Sequence, residues 1–421
     1  MIKAGYKKTE LGEIPKEWNL LTLSNVATYI NGMAFKPSDW KSEGMPIVRI
    51  ENLNNTEAPF NYFSGSVNNR YLLNNGDILL SWSASLGVYI WNRGKALLNQ
   101  HIFKVVPVSE INKSYLFWAL HKAIEDLSRV THGSTMKHFQ KGELERTKII
   151  VPPLPEQNKI AKILSDTDAL IESLDQLITK KKNIKQGLMH ELLTRGIGHT
   201  RYKDTIIGRI PEEWIVKSLL EISELQRGLS YSGKEKSINK IRDGYLFLTL
   251  NSIKEDGGLK SDGWSWIKSD RLKERHFVRE GDIVIANTDI GMQRGHILGS
   301  PAIVRFTEWY KKNRSVYSHH ISRLKLKIST IDISFLFYYL SFIQLLARKY
   351  HSGTGVWGLD VSSWANDLLI RLPPSREQKK ISEILIVVDK EIQALEQKRE
   401  KYKMIKTGLM QQLLTGKVRV K

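Results

Sequence analysis

Apolar residues recur at spacings of three and four along two long stretches of the chain. In the first stretch they are Ile160, Leu164, Ile171, Leu174, Ile178, Ile184 and Leu188, and in the second they are Ile381, Leu385, Val388, Ile392, Leu395, Tyr402, Ile405 and Leu409. This spacing is typical of a helix that packs against another helix. A helix over residues 156–194 would be about 58 Å long, which is a rod and not a core helix. The pattern therefore predicts two long helices that pair through these residues.

The regions before the two rods show a different pattern. Short β-type runs at 78–82 and 283–286 alternate with turns rich in Gly, Asn and Asp, and one helix is predicted near 113–130 and another near 333–350. The predicted fold class is α+β, with two globular regions that are each followed by a long helix. Loops on such scaffolds commonly carry recognition residues.

The two halves of the chain repeat the same motifs in the same order. Gly-Glu-Ile-Pro-Lys-Glu-Trp at 12–18 matches Gly-Arg-Ile-Pro-Glu-Glu-Trp at 208–214, and Pro-Leu-Pro-Glu-Gln at 153–157 matches Pro-Ser-Arg-Glu-Gln at 374–378. Gly-Asp-Ile, Gln-His-Ile and Gly-Leu-Met segments also recur between or after these anchors. We interpret the chain as one structural unit written twice, with additional residues in the second copy.

The repeat predicts four regions, namely globular domains at 1–152 and 197–373 and helical regions at 153–196 and 374–421. Neither rod has a third helix to cover its apolar stripe, so the simplest arrangement packs one rod against the other. Because the copies are in tandem, we expect an antiparallel coiled coil with internal pseudo-twofold symmetry. Dimerisation between chains through the same stripe is the alternative.

Charge indicates the class of partner. The chain has 64 Lys and Arg against 44 Asp and Glu, a net charge of +20, and no Cys. The absence of Cys excludes disulfide scaffolds, thiol catalysis and Cys-based metal sites. The spread of positive charge along the chain points to a polyanion as the partner. Composition alone does not distinguish DNA, RNA and an anionic membrane surface. The alternative is a basic soluble protein without a polyanionic partner.

No segment has the pattern of a membrane span or a signal peptide. The longest apolar run, at 335–347, falls well short of the roughly 20 residues that cross a bilayer. The basic first eight residues have no apolar stretch behind them. We therefore expect a cytoplasmic protein without a membrane partner.

Several patterns resemble active sites but lack the required context. Residues 353–358 fit Gly-x-Gly-x-x-Gly, yet they do not lie between a strand and a helix, and residues 377–379 supply Glu-x-Lys without the Pro-Asp of a nuclease. The pair at 319–320 gives adjacent His residues, for which a core or DNA-facing role outweighs metal binding. The sequence predicts no catalytic residue and no metal site.

Side chains suited to reading DNA instead collect in the loops. Asn, Gln, Ser, Thr and Arg contact base edges, while Lys and Arg hold phosphates. The candidate DNA-binding residues are Arg49, Asn52, Trp82, Ser83, Ser134, Thr135, Lys137, His138, Arg227, Asn251, Asn287, Thr288, Asp289, Arg294, Thr354 and Trp357.

The ordered set of motifs resembles the specificity subunit of type I restriction-modification systems over essentially the whole chain. Ile-Pro-x-Glu-Trp opens each half, Gly-Asp-Ile lies in its middle, and Pro-Leu-Pro-Glu-Gln leads into a helix that Gly-Leu-Met and Leu-Leu-Thr close. The second copy departs from this pattern at 375–376 and 353–355. The resemblance implies two target recognition domains that each read one half of a split double-stranded DNA sequence.

The resemblance also implies partners that carry the chemistry. Two modification subunits would bring S-adenosylmethionine, and restriction subunits would bring ATP and Mg²⁺, whereas this chain would bind no cofactor and catalyse nothing. Two other functions stay open. A self-sufficient methyltransferase or nuclease would need a cofactor loop and a catalytic motif, and the sequence has neither. A stand-alone two-domain DNA-binding regulator remains the alternative function.

Overall fold

The structure is a computed structural model that describes residues 2–83, 86–130, 142, 146–260, 262–289, 296–305 and 315–420. Contacts within the chain divide it into two compact units. Unit 1 comprises Met1–Gln176 with Glu396–Lys421, and unit 2 comprises Leu177–Leu395. The division passes through both long helices, so that each unit contains half of each.

The strands of unit 1 form two four-stranded sheets, one hairpin and one pair of strands that are distant in sequence. Its strands are β1 (Tyr6–Thr9), β2 (Gly12–Pro15), β3 (Asn19–Thr22), β4 (Ala27–Asn31), β5 (Met45–Val48), β6 (Asn61–Phe63), β7 (Leu72–Leu73), β8 (Ile78–Ser81), β9 (Gly87–Ile90), β10 (Ala96–Leu98), β11 (Ile102–Pro107) and β12 (Lys148–Val151). One four-stranded sheet has the order β4-β11-β8-β9 and is antiparallel. The other has the order β6-β5-β10-β7, in which β5 and β10 run parallel.

Unit 1 has the following helices among its described residues. They are α1 (Leu23–Val26), α2 (Ile50–Asn54) and α3 (Lys113–Val130), with the first half of α4 (Leu154–Thr194) and the second half of α8 (Ser375–Leu413). Short 3-10 turns lie at Pro37–Asp39 and Asn69–Tyr71. The largest apolar core joins Trp18, α3 and both long helices, through Ile160 and Leu164 of α4 and Leu413 of α8.

Unit 2 repeats this order of elements. Its strands are β13 (Tyr202–Thr205), β14 (Gly208–Pro211), β15 (Ile215–Ser218), β16 (Ser223–Arg227), β17 (Lys236–Ser237), β18 (Tyr245–Leu248), β19 (Ser265–Ile267), β20 (Phe277–Val278), β21 (Ile283–Ala286), β22 (Thr288–Asp289), β23 (Pro301–Ile303), β24 (Ser315–Tyr317), β25 (Ile321–Leu326), β26 (His351–Ser352), β27 (Trp357–Leu359) and β28 (Leu369–Leu372). The sheet β16-β25-β21-β23 corresponds to β4-β11-β8-β9, and the sheet β17-β19-β18-β24-β20 again contains a parallel pair, β18 and β24. A third sheet has the order β22-β27-β26.

Among its described residues, unit 2 has more helices than the single one predicted near 333–350. They are α5 (Leu219–Ile222), α6 (Ile333–Phe342) and α7 (Val361–Asp367), with the second half of α4 and the first half of α8. The helix expected near 333–350 is α-helical only to Phe342, and Gln344–Tyr350 continues as a 3-10 helix. Other 3-10 turns lie at Gly233–Glu235, Leu250–Ser252 and Glu274–His276.

The two repeated motifs meet in each unit. The indole Nε1 of Trp18 donates a hydrogen bond to Oε2 of Glu156 at 2.9 Å, and Trp214 donates to Oε2 of Glu377 at 3.0 Å. In each unit, the Trp of the Ile-Pro-x-Glu-Trp motif therefore binds the Glu of the Glu-Gln motif at the start of the long helix.

The Gln of each Glu-Gln pair fixes the start of the helix. In unit 1, Gln157 Oε1 accepts from the backbone N–H of Asn112, just before α3, at 2.8 Å, and Gln157 Nε2 donates to the Pro152 carbonyl at 2.9 Å. Gln378 makes the equivalent bonds to Asp332 and Pro373 in unit 2. These hydrogen bonds from a buried amide to backbone groups hold the start of each long helix against the globular part of the same unit.

The long helices are antiparallel within each unit: residues further along α4 pair with residues that come earlier in α8. The ion pairs between them are Asp175–Arg399 (2.9 Å) and Asp168–Lys406 in unit 1, and Lys181–Glu391 (2.6 Å) and Lys185–Asp389 (2.6 Å) in unit 2. The predicted fold class, with repeated α+β parts and an antiparallel helix pair, is confirmed.

Two predicted seam residues lie outside the packed stripe. Ile184 is 43% exposed and Ile405 is 39% exposed, whereas Ile171, Leu174 and Ile178 are buried. Since Ile184 and Ile405 occupy the same position in the two repeats, both copies present an isoleucine to solvent at this point. The expectation that they pack in the seam is wrong.

Among the described residues, no helix is both long and apolar enough to cross a membrane. The structure begins the long helices at Leu154 and Ser375, close to the predicted region boundaries at 153 and 374.

Candidate nucleic-acid interface

In unit 1, parallel strands bring separate loops to one edge. Val48 of β5 pairs with Leu98 of β10, so that Arg49 and Asn99 leave the sheet side by side. The segment after β4 crosses the same edge, because Met33 N–H donates to the Leu98 carbonyl at 2.9 Å. We call residues 31–33, 49, 82 and 99–101 loop edge 1; Asn31 is exposed and the others are half-buried.

Arg49 lies on loop edge 1, as predicted, but it has local partners. Its guanidinium covers the ring of Trp40 at 5.3 Å and forms a 3.0 Å ion pair with Glu51. An ion pair at a partly exposed site is weak and can be exchanged for a phosphate.

Asn52 does not face solvent. It is fully buried, its Oδ1 accepts from the Arg49 N–H at 3.0 Å, and its Nδ2 donates to the carbonyls of Ala58 and Pro59. Ser252 closes the equivalent turn of unit 2 by accepting from the Thr249 N–H at 3.2 Å. The expected DNA contact by Asn52 is wrong, because its amide is consumed in shaping the turn.

Trp82 lies on loop edge 1 with part of its ring exposed. It stacks on Phe103, packs against His101 at 4.8 Å between ring centroids, and donates from Nε1 to Asn31 Oδ1 at 3.2 Å. Ser83, the next residue, is buried and offers little surface to a ligand. The predicted Ser134, Thr135, Lys137 and His138 lie outside the described residues.

Unit 2 forms a corresponding edge. Leu248 of β18 pairs with Tyr317 of β24, so the residues that follow both strands leave together, and Leu229 N–H donates to the Tyr317 carbonyl at 2.8 Å. We call residues 227–229, 249–251, 287 and 318–320 loop edge 2. Of the predicted residues, Arg227 and Asn251 are exposed on it.

Three further predicted residues of unit 2 lie below the surface. Asn287 donates from Nδ2 to Ser322 Oγ at 2.9 Å, Thr288 Oγ1 is 3.0 Å from His320 Nδ1, and the Asp289 carboxylate accepts from the Ile297 N–H at 3.3 Å. All three are buried. They support the loops from beneath, so their expected direct contact with DNA is wrong. Arg294 lies outside the described residues.

The sheet β22-β27-β26 joins two predicted loops that are far apart in sequence. Asp289 pairs with Trp357, whose ring stacks flat on His351 at 3.9 Å. Trp357 is half-buried and Thr354 is exposed at the turn between β26 and β27. An aromatic surface beside exposed polar groups suits contact with a base or sugar.

Two histidines add a polar surface beside Arg227. The rings of His319 and His320 are 4.0 Å apart, and Tyr231 packs against His319. Burial lowers the pKa of His319, and burial together with the neighbouring His319 and Arg227 lowers the pKa of His320. Both shifts favour the neutral imidazole, and Arg227 supplies positive charge beside the two rings.

The residues that the sequence reasoning missed are Asn31, Gln100, His101 and Tyr231. The repeat aligns Gln-His-Ile at 100–102 with His-His-Ile at 319–321. That alignment was the signal that both segments occupy equivalent places.

Comparison with known proteins identifies the family. The family model described as the type I restriction modification DNA specificity domain matches residues 15–183 and 211–403. The chain belongs to this family. It is 30% identical to the type I restriction enzyme MjaVIII specificity subunit of Methanocaldococcus jannaschii, over 97% of this chain and 94% of the relative. It is also 30% identical to the putative MjaX specificity subunit of the same organism, over 99% and 97%.

A solved structure of a related protein supports the fold. The type I restriction-modification S subunit from M. genitalium superposes with a TM-score of 0.55 at 15% identity, covering 94% of this chain and 96% of that chain. Membership of the family means that the chain recognises DNA as a non-catalytic specificity subunit. The alternative of a stand-alone regulator is not favoured.

Within the part of the chain that the structure describes, no group of three His, Cys, Asp or Glu residues could hold a metal ion. The adjacent histidines on loop edge 2 instead engage Thr288, the Leu229 carbonyl and each other.

Proposed function

We propose that this chain reads a bipartite double-stranded DNA target, one half-site with each unit. The observation that supports this most strongly is the correspondence of loop edge 1 and loop edge 2. Each is formed where a parallel strand pair ends beside the last residue of an antiparallel strand. Two equivalent edges in one chain suit two separate short sequences.

The net charge of +20 supports a long DNA contact. Lys and Arg side chains bind phosphates and fix register, whereas exposed Asn, Arg, Thr and aromatic groups at the loop edges discriminate bases. On this proposal Arg49, Trp82, Arg227, Asn251, Thr354 and Trp357 are the contact candidates among the described residues. Ser134, Thr135, Lys137, His138 and Arg294 remain candidates from the sequence alone.

The paired helices serve two roles in this proposal. They set the length of unspecified DNA between the half-sites, and their outer faces receive partner subunits. The exposed Ile184 and Ile405, at equivalent positions, give each repeat a matching apolar contact for one of two modification subunits. Equivalent surfaces in a duplicated chain suit two copies of one partner.

The chemistry belongs to those partners. Two modification subunits bind S-adenosylmethionine and methylate DNA, and restriction subunits bring ATP and Mg²⁺ for translocation and cleavage. This chain holds none of these groups and acts in the cytoplasm by placing the other subunits on their site.

Methylome sequencing tests the proposal. The chain is expressed with its modification partner in a host without other methyltransferases, and compared with the partner alone. We expect methylation at one interrupted motif, only when the chain is present. A single continuous motif, or the same methylation without the chain, would contradict the proposal.

A further inference from the structure

Asn31 and Arg227 occupy the same place in the two units. Each is the last residue of its strand, Asn31 pairing with Phe103 and Arg227 with Ser322 at the ends of matching antiparallel ladders. Each is exposed, and each is followed by a glycine and then by a residue that bridges to the parallel-strand edge. The two units share the backbone arrangement at this position, but the side chain is an amide in unit 1 and a guanidinium in unit 2.

The backbone holds this position rigidly. An added Cβ on Gly32 would lie 2.0 Å from the Asn99 carbonyl oxygen, and one on Gly228 would lie 2.4 Å from the Ser318 carbonyl oxygen. Only glycine permits so close an approach of two backbone segments. Residues 31 and 227 are therefore anchored between a strand and a tight backbone crossing, as a base-reading side chain needs to be.

Arg227 is also oriented by its own hydrogen bond. Its Nε donates to the His319 carbonyl at 3.1 Å, and this bond does not use the two terminal nitrogens. Among the described residues neither terminal nitrogen has a hydrogen-bond or ion-pair partner. Histidine carries no negative charge in either protonation state, so the adjacent His319 and His320 rings do not compete with DNA for the guanidinium.

Asn31 is oriented in an analogous way. Trp82 Nε1 can only donate, so the Asn31 atom at 3.2 Å must be the amide oxygen. This fixes the amide orientation and leaves Nδ2 and one lone pair of Oδ1 unused by Trp82. A donor and an acceptor side by side match the N7 and N6 groups of adenine.

From these contacts we propose that residues 31 and 227 are equivalent base-reading positions. Asn31 reads an adenine in the half-site of unit 1, and Arg227 reads a guanine in the half-site of unit 2 through paired bonds to O6 and N7. The assignment rests on the proposed function of the two units as separate DNA readers. It explains how one scaffold, used twice, selects two different sequences.

The test uses the full chain assembled with its modification subunits. The probe is a set of duplexes in which each position of the two half-sites is varied in turn, and binding and methylation are both measured. For Arg227→Asn we expect the preference for guanine over adenine to fall by about 5- to 150-fold at one position of one half-site, corresponding to about 1–3 kcal/mol. For Asn31→Arg we expect adenine preference to be lost at one position of the other half-site.

Further variants separate base reading from other roles. Arg227→Lys keeps the charge but loses the fork, so it should retain affinity and lose most of the guanine preference. Arg242→Asn and Asn92→Arg make the same changes at exposed residues beyond the strand ends opposite the loop edges, and they should leave both half-sites unchanged.

The outcomes distinguish this inference from the proposed function. A wild-type complex that selects an interrupted motif, with variants that keep every base preference, overturns the inference alone. Equal weakening on all sequences also overturns it, since that result indicates a phosphate contact. A wild-type complex that selects no interrupted motif overturns the proposed function and the inference with it.

Discussion

Glu156 and Arg419 lie 263 residues apart in sequence and are joined by two hydrogen bonds, from Arg419 Nε to Oε1 at 3.2 Å and from Nη2 to Oε2 at 2.9 Å. In unit 2 the corresponding carboxylate, Glu377, accepts instead from the Ile197 N–H and contacts His199 Nε2 at 2.8 Å. The segment after α8 therefore binds the buried carboxylate of unit 1, as the segment after α4 binds the corresponding carboxylate of unit 2.

Removing the charge of Glu156 should destabilise the protein. The carboxylate is buried, and it accepts from Trp18, Arg419 and the Val420 N–H. Glu156→Gln should lower the free energy of unfolding by about 1–3 kcal/mol, because Arg419 loses its buried counter-charge. Urea denaturation measures this, with the exposed Glu172→Gln on the same helix as control. Equal stability of the two variants would contradict the prediction.

The same carboxylate should make stability depend on pH. Burial raises the pKa of Glu156, but hydrogen bonds from Arg419 and Trp18 outweigh burial and hold the pKa below its ordinary value of 4.5. A depressed folded-state pKa contributes stability above the unfolded-state value and loses it as pH falls through the folded one. The stability difference between wild type and Glu156→Gln should be constant from about pH 6 to 8 and shrink below about pH 4. Denaturation midpoints across this range provide the measurement, and a constant gap down to pH 3 would refute it.

Local sequence signals account for the correct predictions. Periodic apolar residues and the proline-to-glutamate helix starts predicted α4 and α8, and the repeated motifs predicted two similar units. These signals act over a few residues, so tertiary context does not override them.

The direction of a polar side chain could not be predicted in the same way. Asn52 and Asn287 follow strand ends and are of a type that reads DNA, yet each side chain turns inward, Asn52 to the Pro59 carbonyl and Asn287 to the Ser322 hydroxyl. Asn31 was missed for the converse reason, because its partner Trp82 lies 51 positions away in the sequence. Ile184 fits the heptad spacing, but the spacing alone does not show whether the other long helix covers that position.

A half-length chain, residues 1–205, should dimerise. Alone it lacks the second half of α8 and Arg419, which complete unit 1. A second copy can supply its own residues 177–199 in their place, because Lys185 and Asp168 repeat as Lys406 and Asp389, the pairs seen in the two units. Sedimentation should give a dimer, and its target should be a palindromic split sequence. A folded monomer would contradict the inferred equivalence.

Charge exchange provides the control for that dimer. Lys185→Asp in the fragment places two carboxylates opposite each other at both sites, and we expect roughly five- to tenfold weaker association. Adding Asp168→Lys restores opposite charges and should restore the dimer. Failure of the double variant to recover would indicate another register.

DNA binding by the assembled protein should weaken steeply with salt. If about six to ten phosphates are neutralised, affinity falls by roughly 10³–10⁵ between 50 and 200 mM salt, because condensed counterions are released on binding. The slope of log Kd against log salt measures the number of phosphates. Arg227→Asn should reduce specificity more than it reduces this slope, and a nearly flat salt response would mean that the net charge of +20 serves another purpose.

The helices should set the gap between half-sites, and the antiparallel register dictates how to test this. Four residues inserted in α4 alone, between Leu174 and Ile184, would shift pairs such as Lys181–Glu391 out of step with Asp175–Arg399. Inserting four residues in both helices, after Gln176 and after Leu395, leaves every ion pair within its own unit in register. The paired insertion is therefore the cleaner variant, although the four-residue stutter must be absorbed locally.

Helix geometry fixes the expected size of the change. Four residues lengthen each helix by about 6 Å and rotate the remainder of that helix by about 40°. One base pair advances DNA by about 3.4 Å and rotates it by about 34–36°. Length allows just under two extra base pairs, whereas rotation favours one, so we expect the unspecified gap to widen by one base pair, or two at most, with both half-sites unchanged. Methylome sequencing of the variant decides this, with four residues inserted at the exposed turn of Asp243 as control. An unchanged gap, or altered half-site bases, would place the control of spacing within the globular parts of the two units.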